Sequence, residues 1–394
     1  MWRRVRDWIA GLTVGIVLAG LLVSAGAGDE LELFRVSPFS TQNLWLIKQA
    51  RAIVETYFVN GSEDVTEDDL LYGAIRGMVA AYGDPYTRFV DPGEMKEEEI
   101  EMQGEYGGLG IYISQRDGQT VIVSPIEDTP ADRVGLKPKD SIVKIGDEVI
   151  IGWDQNDVVS NLRGKPGTSV TIWVRREGEE NLLRFDIVRE KIKIKSVRFE
   201  MLPDKVGYLR IIQFNQRTVS EFRNALDSLV AQGASSLVLD LRNNPGGLLD
   251  VCVDVADMFL DNGVIVSTKG RFQQANEVLY ATGGVKTDLP LAVLINEGSA
   301  SASEIVAGAL KDHDRAVIVG QQSFGKGSVQ TLFTLPDESG IYVTIAKYYT
   351  PDGTVIDKTG LAPDIEVEGE FSREAGHEDD TQLHRAIEEL TKTR

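Results

Sequence analysis

Two short stretches hold the residue types best suited to chemistry. NEGSASASEI (296–305) sets Ser299, Ser301 and Ser303 directly after the apolar run LAVLI, and QQSFGKGSVQ (321–330) sets Lys326 between two glycines. A serine between a buried strand and a helix start is where hydrolases seat a nucleophile. The first amide N–H groups of the helix lack partners there and can receive an oxyanion. Ser301-x-x-Glu304 also fits a capping box, in which the serine is only an N-cap contributing about 1 kcal/mol. The local sequence leaves both readings open.

A serine nucleophile needs a base, and histidine is scarce. His313 lies in KDHDR at a charged helix end, and His377 and His384 lie in a polar tail. Nothing around them suggests a buried, oriented imidazole. There is no HExxH and no Cys/His pair, which argues against a metal enzyme, and no phosphate-binding loop. Cys252, the single cysteine, sits in the helix-like apolar stretch LLDVCVDVADMF and reads as a buried structural thiol. A net charge of −20 opposes nucleic-acid binding. Lysine is the alternative base. With an ordinary pKa near 10.4, roughly one lysine in a few thousand is neutral at pH 7. Lowering that pKa by about 3 units costs roughly 4 kcal/mol, which burial can supply. Lys326 fits, since no carboxylate occurs from Val317 through Pro336. A turn lysine in solvent fits the local sequence as well.

The elements that must carry these residues follow from periodicity. Arg3, Arg4 and Arg6 precede an uncharged run from Trp8 to Gly28. That run is long enough to cross a bilayer, with the arginines left in the cytoplasm. Ala25-Gly26-Ala27 also resembles a cleavage site. Residues 1–28 are therefore a membrane anchor or a signal peptide, and either places the rest on the extracytoplasmic side of the cell envelope. Residues 40–103 read as helical: Leu44, Ile47, Ala50, Val54 and Phe58 form one stripe, Thr66 and Asp69 open a second helix, and an acidic helical face follows. Residues 104–190 change to five short β-rich runs and two helical pieces, a small α+β or barrel-like module. From Lys205, strands and helices alternate through SSLVLDL, GVIVS, LAVLIN and AVIVG, with one helix opened by a Thr218-x-x-Glu221 box. Such alternation argues for a parallel sheet covered by helices. A β-hairpin follows, then an acidic tail (369–394) with helical character near TQLHRAIEELTK.

DPYTRFVDP, YGGLGIYI, LVLDLRNNPGGLL, NEGSASASEI, FGKGSVQ and YYTPDGTVIDKTGLAPDIEV occur in this order. Together they closely resemble the C-terminal processing (tail-specific) peptidases across residues 40–368. The resemblance implies an α/β and α+β multidomain serine endopeptidase without a cofactor. Its parts are a helical segment (40–103), a PDZ domain (104–190) and a Ser-Lys peptidase core (191–368). It implies Ser301 as nucleophile, Lys326 as general base and Gln330 as the residue orienting the lysine. The oxyanion donors are the backbone N–H groups of Ala302 and of Gly247, with Gly246 left open. Ser299 and Ser303 read as backbone-bonding turn residues, and Glu304 first as a capping partner. Gly108, Leu109 and Gly110 resemble the loop that holds a substrate's terminal carboxylate, and Arg163 resembles the arginine that senses PDZ docking. The implied partners are proteins or peptides with free apolar C-termini, a homodimeric copy and an adaptor protein. No nucleic acid is implied.

Overall fold

The computed structural model describes residues 41–59, 65–116, 118–126, 128–369 and 379–392. The run 8–28 lies outside them. Among the described residues no helix is long and apolar enough to cross a membrane. The chain divides into two compact units, residues 1–73 and 74–394.

The first unit contains α1 (Thr41–Tyr57) and the start of α2 (Glu67–Ala80). Thr66 and Asp69 cap α2 as the sequence suggests: the Thr66 N–H donates to Asp69 Oδ2 at 2.8 Å and the Asp69 N–H to Thr66 Oγ1 at 3.2 Å. The stripe formed by Leu44, Ile47, Val54 and Phe58 is solvent-exposed.

The second unit continues with β1 (Arg88–Val90) and α3 (Pro92–Gln103). Asp91 caps α3, accepting from the N–H groups of Gly93 and Glu94 at 2.9 Å. None of its residues is buried, as its acidic composition suggests. Residues 105–193 then form the small β module. In chain order it comprises β2 (Glu105–Gly108), β3 (Ile111–Arg116), β4 (Gln119–Pro125), α4 (Pro130–Arg133), β5 (Ser141–Ile145), β6 (Glu148–Val149), α5 (Gln155–Leu162), β7 (Ser169–Arg175), β8 (Leu183–Val188) and β9 (Glu190–Lys193). The main antiparallel path runs β3-β4-β5-β7-β8, so β3 is an edge strand. Alternating burial on β7 buries Val170, Ile172 and Val174 beside Ile122, Ile142 and Leu109, the expected pattern for a sheet with one covered face.

The core begins with β10 (Val197–Leu202), β11 (Val206–Ile211), α6 (Thr218–Ala231), β12 (Ser236–Asp240) and α7 (Leu249–Asp257). It continues with β13 (Val264–Gly270), β14 (Glu277–Tyr280), β15 (Leu291–Ile295), α8 (Ala302–Asp312), β16 (Val317–Gly320), β17 (Ser328–Thr334), β18 (Gly340–Tyr349), β19 (Ile365–Glu366) and α9 (Thr381–Lys392). One sheet runs β10-β11-β12-β15-β16-β19, parallel from β11 onward. Every residue of β12 and β15 is buried, because α6, α7 and α8 cover one face and α9 the other. Strands buried on both faces are read as continuous apolar runs, which is how SSLVLDL and LAVLIN appear.

Two expectations change. GVIVS does not join the parallel series: β13 pairs antiparallel with β14 and β18 in a second sheet. Its Ser267, Thr268 and Lys269 suit a strand with a polar side rather than one buried on both faces. The Thr218–Glu221 box does not form either. The Glu221 carboxylate instead accepts from the Ser196 N–H at 2.9 Å, tying α6 to the start of β10.

Candidate active site

Ser301 stands at the junction of the loop after β15 with α8, at φ 54° and ψ −113°. That conformation is sparsely populated by non-glycine residues and costs on the order of 1–3 kcal/mol, which neighbouring bonds must hold. Glu304 supplies them. It is fully buried, and Oε2 accepts from the N–H of Ser301 at 2.8 Å and of Lys326 at 3.0 Å. Oε1 accepts from the Gly325 N–H at 2.7 Å and from the Ser323 hydroxyl. Burial pushes this carboxyl above its ordinary pKa, and the four donors pull it back. Glu304 is thus more than a capping partner, because one carboxylate fixes both Ser301 and the lysine loop.

Ser299 and Ser303 bond the backbone. Ser299 Oγ donates to the Leu241 carbonyl at 2.8 Å and Ser303 Oγ to the Asn244 carbonyl at 3.0 Å. These bonds seat the serine loop on the NNPGG turn. There the Gly246 N–H is taken by Asn244 Oδ1 at 2.9 Å. The Gly247 N–H has no hydrogen-bond partner among the described residues, and neither does that of Ala302. Both glycines are required by close approach. A Cβ on Gly247 would lie 2.0 Å from the Phe214 carbonyl oxygen, and one on Gly246 would lie 2.8 Å from Ser301 Cβ.

Ser301, Ala302, Gly247, Lys326 and Gln330 line one cavity of about 410 Å³, walled also by Tyr86, Arg88, and by Glu98 and Met102 of α3. Lys326 is partly buried, with Nζ 5.0 Å from the centre of the Tyr86 ring. Burial lowers its pKa, Arg88 lowers it further, and Glu304 opposes. No hydrogen bond joins Lys326 Nζ to Ser301 or to Gln330 among the described residues. A register shift at Val329/Gln330 directs the Gln330 amide to Ser328 Oγ at 2.9 Å and Thr344 Oγ1 at 3.2 Å. Ser301 Oγ lies 2.8 Å from the phenol oxygen of buried Tyr348. The residue reading did not single out Tyr348; its only signal was its place in the YYTPDG stretch.

His313 bonds the Val264 carbonyl at 2.8 Å and does not line the cavity. Cys252 is fully buried, with burial pushing its thiol pKa up. Among the described residues no group of three or more His, Cys, Asp or Glu could hold a metal ion.

In the β module, Gly108-Leu109-Gly110 joins β2 to the edge strand β3. Gly110 at φ 78° packs on Thr129, and the Leu109 carbonyl accepts from the Ala131 N–H at 2.9 Å. Arg163, just after α5, pairs with Glu97 of α3 and stacks 4.7 Å from the centre of the Tyr106 ring.

Comparison with known proteins places this geometry in a context. Residues 205–367 match peptidase family S41, 107–187 match the PDZ domain, and 30–93 match the N-terminal domain of the activating protease CtpB. A carboxy-terminal-processing protease of Bartonella bacilliformis is 44% identical over 322 residues, covering 80% of this chain and 73% of its own length. The carboxy-terminal processing protease CtpA of Bacillus subtilis is 36% identical over 304 residues, covering 77% of this chain and 65% of its own. A photosystem II D1 C-terminal processing protease of known structure is 33% identical, with a TM-score of 0.47, and the match covers 81% of this chain and 86% of that one.

Proposed function

This chain belongs to peptidase family S41, as a serine-type carboxy-terminal processing peptidase with a PDZ domain, and on that premise we propose a Ser-Lys mechanism gated by the PDZ domain. Neutral Lys326 takes the proton of Ser301, and Oγ attacks the substrate carbonyl. The oxyanion is received by the N–H groups of Gly247 and Ala302, and Lys326 returns the proton to the leaving amine. Water then releases the acyl group by the reverse path. Gln330 orients the lysine in the productive state. The observation that carries this reading is the shared cavity: it brings the serine, the lysine and two unpaired N–H groups together and contains no histidine. Gly247 is preferred to Gly246 because the latter's N–H is already occupied.

Substrate selection is assigned to the PDZ domain. A tail adds as a strand to edge β3, and the Gly108-Leu109-Gly110 loop receives its carboxylate. Cleavage of an unstructured peptide with a free apolar C-terminus tests this. Amidating that C-terminus removes the charge-assisted bonds, so kcat/KM falls about 10- to 100-fold. Equal rates for the acid and the amide would remove tail recognition from the proposal.

Arg163 is the proposed sensor, since its partner Glu97 shares α3 with the cavity residues Glu98 and Met102. Arg163→Ala should reduce stimulation by tail peptides by up to about fivefold, because an exposed ion pair is worth at most about 1 kcal/mol. Tail affinity, read by fluorescence anisotropy, stays unchanged. Arg3, Arg4 and Arg6 ahead of the uncharged run 8–28 support export of the remainder of the chain.

A further inference from the structure

We infer that Tyr348 is a positioning residue that latches Ser301 in a resting orientation, and that breaking this contact is part of making the site reactive. The inference rests on the Ser301 nucleophile proposed above. Tyr348 is 3% exposed, and its hydroxyl lies 2.8 Å from Ser301 Oγ. A buried hydroxyl requires a partner, and Ser301 is the one present.

Either direction of this bond restrains the nucleophile. If the serine donates, the proton that Lys326 must remove points away from the amine. If the phenol donates, it occupies a lone pair that would attack the substrate. Among the described residues no hydrogen bond joins the lysine amine to the serine; Nζ is seated over the Tyr86 ring, 5.0 Å from its centre. Tyr348 also reaches the base from its main chain. Its N–H donates to the carbonyl of Gly327, the residue after Lys326, at 2.9 Å. One residue of β18 therefore contacts the nucleophile through its hydroxyl and the lysine loop through its backbone. The same strand carries Tyr342, in the wall of the cavity beneath Arg88, whose guanidinium is 4.6 Å from the ring centre. The Arg88 side chain pairs with Glu98 of α3 at 2.6 Å.

The test is the rate at which a fluorophosphonate labels the full chain, with and without a peptide ending in a free apolar carboxylate. Tyr348→Phe should raise the peptide-free rate about tenfold, the scale of one hydrogen bond, and narrow the gap to the peptide-stimulated rate. The pH midpoint of labelling should stay where it is in the parent protein, since the Lys326 amine is untouched. A purely structural role would instead lower the melting temperature without accelerating labelling. Peptide-free labelling that is unchanged or slower in a cooperatively folded variant overturns the latch. A second measurement needs no variant. In a crystal structure of the parent's phosphonate adduct, Ser301 Oγ should lie beyond hydrogen-bond reach of Tyr348, and an intact contact there also overturns the latch. Labelling that survives Ser301→Ala would instead overturn the nucleophile assignment, and the latch with it.

Discussion

Ser301→Ala and Lys326→Ala are each expected to lower kcat for peptide cleavage by on the order of 10⁴-fold or more, because nucleophile and base act as one unit. Combining them should cost little beyond either alone. Tail binding should persist in both, since neither residue lies in the PDZ domain. The pH dependence gives an independent check. Lys326 is competent only when neutral, so activity rises with pH through its pKa and then levels off. Burial first, and Arg88 second, lower that pKa, so the midpoint should fall below the ordinary lysine value near 10.4. A limb centred at or above that value would show an unperturbed lysine and remove it as the base. Lys326→Met should fold at least as stably as the parent, since it replaces a partly buried amine with an apolar side chain of similar length. Loss of cleavage together with a lower melting temperature would point to misfolding instead.

Asp380→Ala should destabilise the core by about 3–5 kcal/mol, read as a lower urea midpoint. Arg242 is fully buried two residues past the end of β12 and is shared between two carboxylates. Nη2 donates to Asp240 Oδ2 at 2.7 Å and Nη1 to Asp380 Oδ1 at 2.8 Å. Gln382 adds an acceptor at 3.1 Å, and the Tyr208 hydroxyl donates to Asp240 at 2.6 Å. Removing Asp380 leaves a buried guanidinium short of half its compensation. The effect should extend to catalysis, because Arg242 is two residues before Asn244, which holds the Gly246 N–H and bonds the Ile211 carbonyl at 2.9 Å. Replacing Asp240, Arg242 and Asp380 together with apolar residues should recover much of the stability, because no buried charge is then left without its partner. A midpoint shift below about 1 kcal/mol for Asp380→Ala would mean that α9 is not anchored through this pair.

The buried guanidinium also marks a limit of reading the chain locally. Arg242 and Asp380 are 138 residues apart, and no periodicity connects them. TQLHRAIEELTK reads as a helix because its apolar positions repeat at helical spacing. That α9 buries Leu383, Ala386 and Leu390 against β12 and β15 depends on the back of the sheet being bare, a property of the assembled layers. GVIVS is similar. Its composition specifies a strand, but not that its partners are β14 and β18 of the second sheet while β12 pairs with β15 in the first.

The sequence by itself determined which side chains can do chemistry here. Three poorly placed histidines, one cysteine, a serine ahead of a helix and a lysine in an uncharged glycine-flanked turn leave few reactions available. It also marked SSLVLDL and LAVLIN as strands of the parallel sheet, because burial on two faces demands continuous apolar runs, but it did not separate them from GVIVS. Tertiary structure alone decided the state of the site. Glu304 joins the serine to the lysine loop, Tyr348 takes the serine hydroxyl, and a bulge turns Gln330 toward Thr344. These contacts join segments that are distant in the chain, and their geometry is set by how the two sheets and α8 pack, which no local spacing encodes.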